Sequence, residues 1–325
     1  MTARAPLLPQ AARHDGPVAL AKLLPSAEAF ASGSKAPATY RAYRGAWLRF
    51  AAWCESVGVA ALPSQPETLA LYVTYLAREG KKVGTIEKAV GAIAHAHSRA
   101  NVPSPHGTAR VTETMAGIRR ALGVAPKQKA PLMADVLRRV CRKAPKTMAQ
   151  TRDRALLLLG FAGAFRRSEL VALKVSDLVF AKEGLEVTIR RSKVDQEGRG
   201  RKLGIPRGAS AAVCPVRAVR RWLNAAGIVS GAVLRAVNRA GGVSRSGLTG
   251  RSVALIVKRA VAALGLDPTL YAGHSLRAGL VTSAAKAGKS EWSIMNTTGH
   301  KSSAMVKRYI RDASLFEDNA ADGLL

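Results

Sequence analysis

From Ala38 onward, apolar side chains recur at helical spacing (Tyr43, Trp47, Phe50, Cys54 and Val57), which predicts an amphipathic helix stopped by Gly58. Three more helices follow. The first begins near Pro66, with Ser64 placed to cap it, and carries Leu69, Val73 and Leu76 to Gly80. The second begins at Thr85 and carries Ile86, Val90, Ile93 and His97, so His97 is expected as a buried structural histidine. The third runs from Arg110 to Gly123, with Val111, Met115, Ile118 and Leu122 inward and Arg119 and Arg120 outward. Residues 1–35 show little periodicity and are expected to form a flexible arm. Residues 36–123 therefore form an all-α unit with basic outer faces, on which Arg41 and Arg44 leave the apolar stripe for phosphates.

Residues 124–131 carry two prolines and two lysines, a composition that stops helix propagation and marks a linker. Beyond it, Ala134 to Lys143 and Thr151 to Phe165 read as helices. The run Leu156 to Leu159 suits a helix buried on all sides, with Arg166 where that element reaches the surface. After Leu173 the period falls to about two. Val175 to Phe180, Leu185 to Arg190 and Lys202 to Ile205 are expected as short antiparallel strands, joined first by Glu183-Gly184 and then by a long basic turn. From Cys214 the pattern is helical again, broken at Gly227, Gly241-Gly242, Gly265 to Pro268 and Gly288. The fold class is thus mostly α in two domains: an all-α first domain, then an α+β second domain over residues 132–312 with a small antiparallel sheet. Residues 313–325 form a tail.

Composition narrows the partner. Against 21 Asp and Glu stand 51 Lys and Arg, a formal charge of +30, which calls for a polyanion and most simply for nucleic acid. Cys54, Cys141 and Cys214 are far apart, which suits a reducing cytosol and excludes a disulfide scaffold or a paired-cysteine zinc site. The longest apolar run, Ala155 to Phe165, is 11 residues and too short to span a bilayer, and the first residues carry no signal-peptide core.

The chemistry concentrates toward the end of the chain. Gly299-His300 is followed by Tyr309, with Lys301, Lys307, Arg308 and Arg311 around it; nearby cations stabilise a phenolate, which makes Tyr309 a nucleophile. His274 and Arg277 lie three apart and so share a helix face. Arg166 has Glu169 three residues on to hold it. Two arginines to grip phosphate oxygens, two histidines and a tyrosine, with no acidic metal-binding cluster, point to metal-free phosphoryl transfer without a cofactor. Either histidine can serve as the base. Tyr271 is the one rival nucleophile outside the N-terminal helices.

Arg166 with Ser168-Glu169-Leu170, then His274-x-x-Arg277, then Gly299-His300 with Tyr309, resembles the tyrosine recombinase (phage integrase) family in order and spacing, over roughly residues 36–312. The resemblance implies a core-binding domain at residues 36–123 and a catalytic domain at residues 132–312, closing as a clamp on duplex DNA. It makes Arg166, Lys193, His274, Arg277, His300 and Tyr309 the catalytic set. Lys193 is its general acid, with Lys202 as the alternative, and Glu169 supports Arg166. Arg190 and Arg191 on the basic turn, and Lys202 after it, join Arg41, Arg44, Arg119 and Arg120 as expected DNA contacts. The implied reaction joins Tyr309 to a DNA 3′ end and frees a 5′ hydroxyl. The implied assembly is a homotetramer on inverted half-sites, with the tail passing between subunits and with accessory DNA-bending or directionality proteins as further partners. A nick-and-reseal enzyme like the type IB topoisomerases and a non-catalytic DNA-binding protein are the competing readings.

Overall fold

The computed structural model describes residues 20–125, 128–190, 200–300 and 302–313. The chain divides into two compact units, Met1–Pro126 and Lys127–Leu325. In the first, α2 (Pro37–Ser56), α3 (Pro66–Arg78), α4 (Val83–Arg99) and α5 (Ala109–Leu122) follow α1 (Leu20–Ser32). Phe50, Leu69, Val73, Ile86, Ile93 and Val111 are fully buried in their shared core. Arg41, Arg44, Arg119 and Arg120 are exposed, as the stripe pattern requires.

Several local expectations fail for identifiable reasons. The expected arm is helical over Leu20–Ser32, because Leu, Ala, Lys and Glu outweigh the single Pro25 in helix preference. Residue Gln65, not Ser64, is the N-cap of α3. Ser64 is instead buried, and its amide donates to His97 Nε2 at 3.0 Å while His97 Nδ1 bonds the Ile93 carbonyl at 2.8 Å. His97 is thus wholly buried and pins the loop before α3 to α4. Leu122, expected inward, is exposed at the end of α5.

The second unit is built around α7 (Met148–Ala162), preceded by α6 (Ala134–Cys141) and followed by α8 (Arg167–Ala172). Leu156 to Leu159 are all buried, as a helix enclosed on every side requires. The segment expected as a solvated linker belongs to this unit at its far end. The Ala130 amide donates to the Leu270 carbonyl, the Leu132 amide to the Ser275 carbonyl, and Lys129 Nζ to the Thr269 carbonyl.

A three-stranded antiparallel sheet, β1 (Leu178–Phe180), β2 (Gly184–Ile189) and β3 (Arg201–Pro206), has the order β1-β2-β3, with Ile189 opposite Arg201. Val175–Asp177, expected as strand, is a 3-10 turn whose buried Asp177 accepts from the Lys174 amide. The following helices are α9 (Pro215–Ala225), α10 (Gly250–Ala262), α11 (Ser275–Lys286), α12 (Glu291–Thr298) and α13 (Ser303–Ala313). Between α9 and α10 the helical expectation is wrong: Arg235–Val237 (β4) and Val243–Gly247 (β5) pair as a hairpin. Asn238 Oδ1 accepts from the Gly242 amide, and Gly241 sits at φ +87°, so this stretch is turn chemistry between two short strands.

Candidate active site

Five segments of the second unit bring the chemical groups together. The first is the exit from α7. Ala164 adopts φ +45°, which ends the helix before Phe165 and turns the chain so that Arg166 becomes the N-cap of α8. Glu169, buried on the first turn of α8, then bonds Arg166 twice, through the backbone amide at 2.9 Å and the guanidinium at 2.7 Å. Glu169 therefore holds both the backbone and the guanidinium of Arg166 in place.

Arg277, one turn into α11, is 2% exposed. Its Nη1 donates to the Ala164 carbonyl at 2.7 Å and to the Thr298 carbonyl at 2.8 Å, while Nη2 is buried with no partner among the described residues. Lost hydration, then the charge of Arg166, brings its pKa down to about 10, so the guanidinium stays protonated near neutral pH while lacking compensation. Arg201, at the start of β3, reaches the same place. Its Nη1 donates to the Thr297 carbonyl at 3.0 Å, capping the C-terminal end of α12. Three guanidinia thus act on one another beside one carboxylate, Glu169.

His300 follows Gly299, which ends α12 in the left-handed conformation at φ +66°. It is 8% exposed, and its Nδ1 lies 2.9 Å from Thr298 Oγ1. The one hydrogen of that hydroxyl goes to the Ile294 carbonyl at 2.8 Å, so Oγ1 accepts from His300 Nδ1–H and leaves the Nε2 lone pair free in the neutral ring. Burial, then Arg277, Arg166, His274 and Arg201, lowers the His300 pKa to about 4. His274, the N-cap of α11, keeps part of its surface open to solvent. Dense protein around it, then Arg277 and Arg166, still holds its pKa below 6.5. Both rings are neutral near pH 7.

Tyr309 comes from α13, half-buried beside the small core of Val281, Ile294 and Val306 that joins α11, α12 and α13. Its hydroxyl lies 3.4 Å from His274 Nε2, a long contact that a bound substrate can tighten. Tyr271 instead packs against the main core of the unit.

Five of the six expected catalytic side chains therefore converge; Lys193 and Arg191 lie outside the described residues, as does the tail from residue 314. Arg190 pairs with buried Asp177 at 2.6 Å and Arg119 with Glu87 at 2.9 Å, so each of these expected DNA contacts carries a carboxylate neighbour. Lys202 is exposed on β3. Arg201 and Thr298 were not singled out in the sequence. Thr298 is signalled only by its position two before His300, and Arg201 only by starting the strand that leaves the basic turn. Among the described residues no three His, Cys, Asp or Glu side chains gather as metal ligands, and no helix is long and apolar enough to cross a membrane.

The helical unit, the small sheet and this cluster of arginines, histidines and a tyrosine define the tyrosine recombinase class of fold. The phage integrase family model matches residues 131–315. The chain is 40% identical to the integrase/recombinase XerD homolog of Selenomonas ruminantium over 291 residues, 88% of this chain and 85% of that protein. It is 24% identical to the recombinase Cre of Escherichia phage P1 over 283 residues, 81% of this chain and 80% of that one. Among solved structures it resembles XerH site-specific recombinase bound to palindromic difH substrate in a post-cleavage complex. The TM-score is 0.60 at 16% identity, covering 80% of this chain and 72% of that one, a likeness of fold. The chain belongs to the phage integrase family, the site-specific tyrosine recombinases.

Proposed function

We propose that this recombinase cuts and rejoins duplex DNA with Tyr309 as nucleophile, and the buried, unpartnered Nη2 of Arg277 is the observation that carries the reading. A buried donor left unmade costs about 1–3 kcal/mol, more when charged. A non-bridging phosphate oxygen returns that energy, and the Arg166 fork beside it takes a second oxygen. The Tyr309 hydroxyl and the neutral His274 beside it supply the rest. The Tyr309 proton passes to His274 Nε2, the phenolate attacks phosphorus, and the bond from phosphorus to the 5′ oxygen breaks. Lys193 protonates that oxygen. The product is a 3′-phosphotyrosyl link and a free 5′ hydroxyl. Because the link conserves the bond energy, the hydroxyl of a partner duplex reseals it and a Holliday junction follows.

The XerH complex holds a palindromic substrate. That palindrome supports inverted half-sites here. In this reading a homotetramer synapses two duplexes in the cytoplasm, at the nucleoid, with accessory DNA-bending or directionality proteins biasing the outcome.

The test is a nicked suicide duplex carrying the attachment site, incubated in EDTA with wild type and with Tyr309→Phe. The expected result is a covalent adduct on a denaturing gel that vanishes in the variant. An adduct that survives the substitution moves the chemistry to another residue, Tyr271 first. Relaxation of plasmid lacking the site would instead favour nick-and-reseal activity.

A further inference from the structure

A second basic cluster in the same unit has no part in the site above. A cavity of about 480 Å³ is lined by Arg154, Arg207, Arg217, Arg220 and Arg221, with Asn224 beside them. Most of it is the outer face of α9: Val216, Val219, Trp222 and Leu223 are buried in the core, which turns Arg217, Arg220 and Arg221 outward.

How these guanidinia are held is informative. Arg154, half-buried on α7, donates to the carbonyls of Cys141 and Lys143. Arg207 donates to the carbonyls of Lys182 and Ala181 at 2.8 and 3.0 Å. The Arg220 guanidinium lies 4.8 Å from the centre of the Phe180 ring. Carbonyls and a ring orient three of the cations and neutralise none. Among the described residues no carboxylate pairs with any of the five. Like charges gathered in one concavity repel, so the arrangement is complementary to an anion from outside.

Two elements measure the separation from the catalytic cluster. Arg201, whose guanidinium caps α12, starts β3, and Arg207 follows its far end; six residues of strand span roughly 20 Å. Arg154 lies eight residues before the end of α7, roughly 12 Å along the helix, and Arg166 lies beyond that end. The cavity is a different place on the surface.

We propose that this arginine cavity is a second phosphate-binding site, taking the backbone of a nucleic-acid segment other than the phosphate gripped by Arg166 and Arg277. Guanidinium forks match phosphate oxygens in pairs. Arg217 to Asn224 spans about 10 Å of helix, the axial rise of roughly three phosphates on one strand, so a polymer engages the whole row and a lone phosphate does not. The proposal does not depend on Tyr309 being the nucleophile, and its test involves no cleavage.

The experiment measures binding of full-length protein to a random-sequence duplex across a salt series. It compares wild type, Arg217→Ala/Arg221→Ala, Arg217→Lys/Arg221→Lys and, as a charge-matched control, Arg138→Ala/Arg139→Ala on the exposed side of α6. Arg217 and Arg221 are exposed and form no ion pair among the described residues, so the melting temperature should not change. The alanine pair should lower the slope of log affinity against log salt by about 2, near 0.9 for each phosphate no longer neutralised, and the lysine pair should retain it. The control pair should change it by less than half as much. An unchanged slope in the alanine pair overturns the proposal, and so does an equal fall in the control, which would mean diffuse charge. Tight pyrophosphate binding that the alanine pair abolishes while the duplex slope stays fixed would make the cavity a small-anion site and overturn the nucleic-acid assignment.

Discussion

Thr298 shows how much one uncharged side chain can settle. Its hydroxyl hydrogen is committed to the Ile294 carbonyl, so it accepts from His300 Nδ1 and presents the opposite nitrogen with a free lone pair. Thr298→Val keeps the volume and removes the acceptor. Adduct formation should slow about tenfold, equivalent to about 1.4 kcal/mol of barrier, and Thr298→Ser should stay near wild type. Nitrogen-15 NMR of the His300 ring should show mixed tautomers in the valine variant alone; a single unchanged tautomer there would remove the positioning role. The pH dependence of stability also belongs to single residues. The His300 pKa is about 4 in the fold and His274 is also lowered, whereas an unfolded histidine titrates near 6.5. Between those values the unfolded chain binds protons that the native state refuses, so stability falls as pH drops from about 6.5 toward 4. Melting temperatures across that window should show the slope, and His300→Gln should flatten it.

Among the elements, α11 carries the heaviest structural duty. It supplies His274 at its cap and Arg277 one turn in, and it packs on α7 and α13 at once. Its approach to the chain entering the unit is unusually close. A Cβ added at Gly279 would lie 1.8 Å from the Leu132 carbonyl oxygen, a backbone atom that cannot step aside. Gly279→Ala should therefore cost about 3 kcal/mol, at the top of the range for overpacking. Chemical denaturation measures this directly, and a loss under about 1 kcal/mol would mean the segment at Leu132 is free to shift. The α12 end illustrates a different device. Arg201 comes from β3, yet it satisfies the last carbonyls of α12 and so ties the sheet to the turn that presents His300.

For the whole molecule, the charge of +30 governs encounter with DNA. If binding engages 6–10 phosphates, affinity should fall by roughly 10³ to 10⁵ between 50 and 200 mM salt, measurable by fluorescence anisotropy with any duplex. A flat dependence would mean that most of this charge faces away from the ligand. The sequence by itself determined a great deal here. Periodicity located α2 to α7, because a buried stripe must repeat every 3.6 residues whatever it packs against. The spacing of His274 to Arg277 announced a shared helix face because three residues make nearly one turn, and Glu169 three residues after Arg166 announced a carboxylate placed to hold it. It did not find the β4–β5 hairpin, whose strands of three and five residues are too short to show a period. Nor did it single out Arg201, Ala164 or Thr298. Their importance lies in carbonyls and hydroxyls contributed by segments up to 113 residues apart, as where Arg277 meets the Ala164 carbonyl. The candidate groups for the chemistry were legible in residue type and local spacing. How each is oriented, which nitrogen of His300 holds its hydrogen and which donor of Arg277 is left for a ligand were decided only by tertiary structure, because hydrogen-bond partners are set by proximity in space and sequence encodes them only through the whole fold.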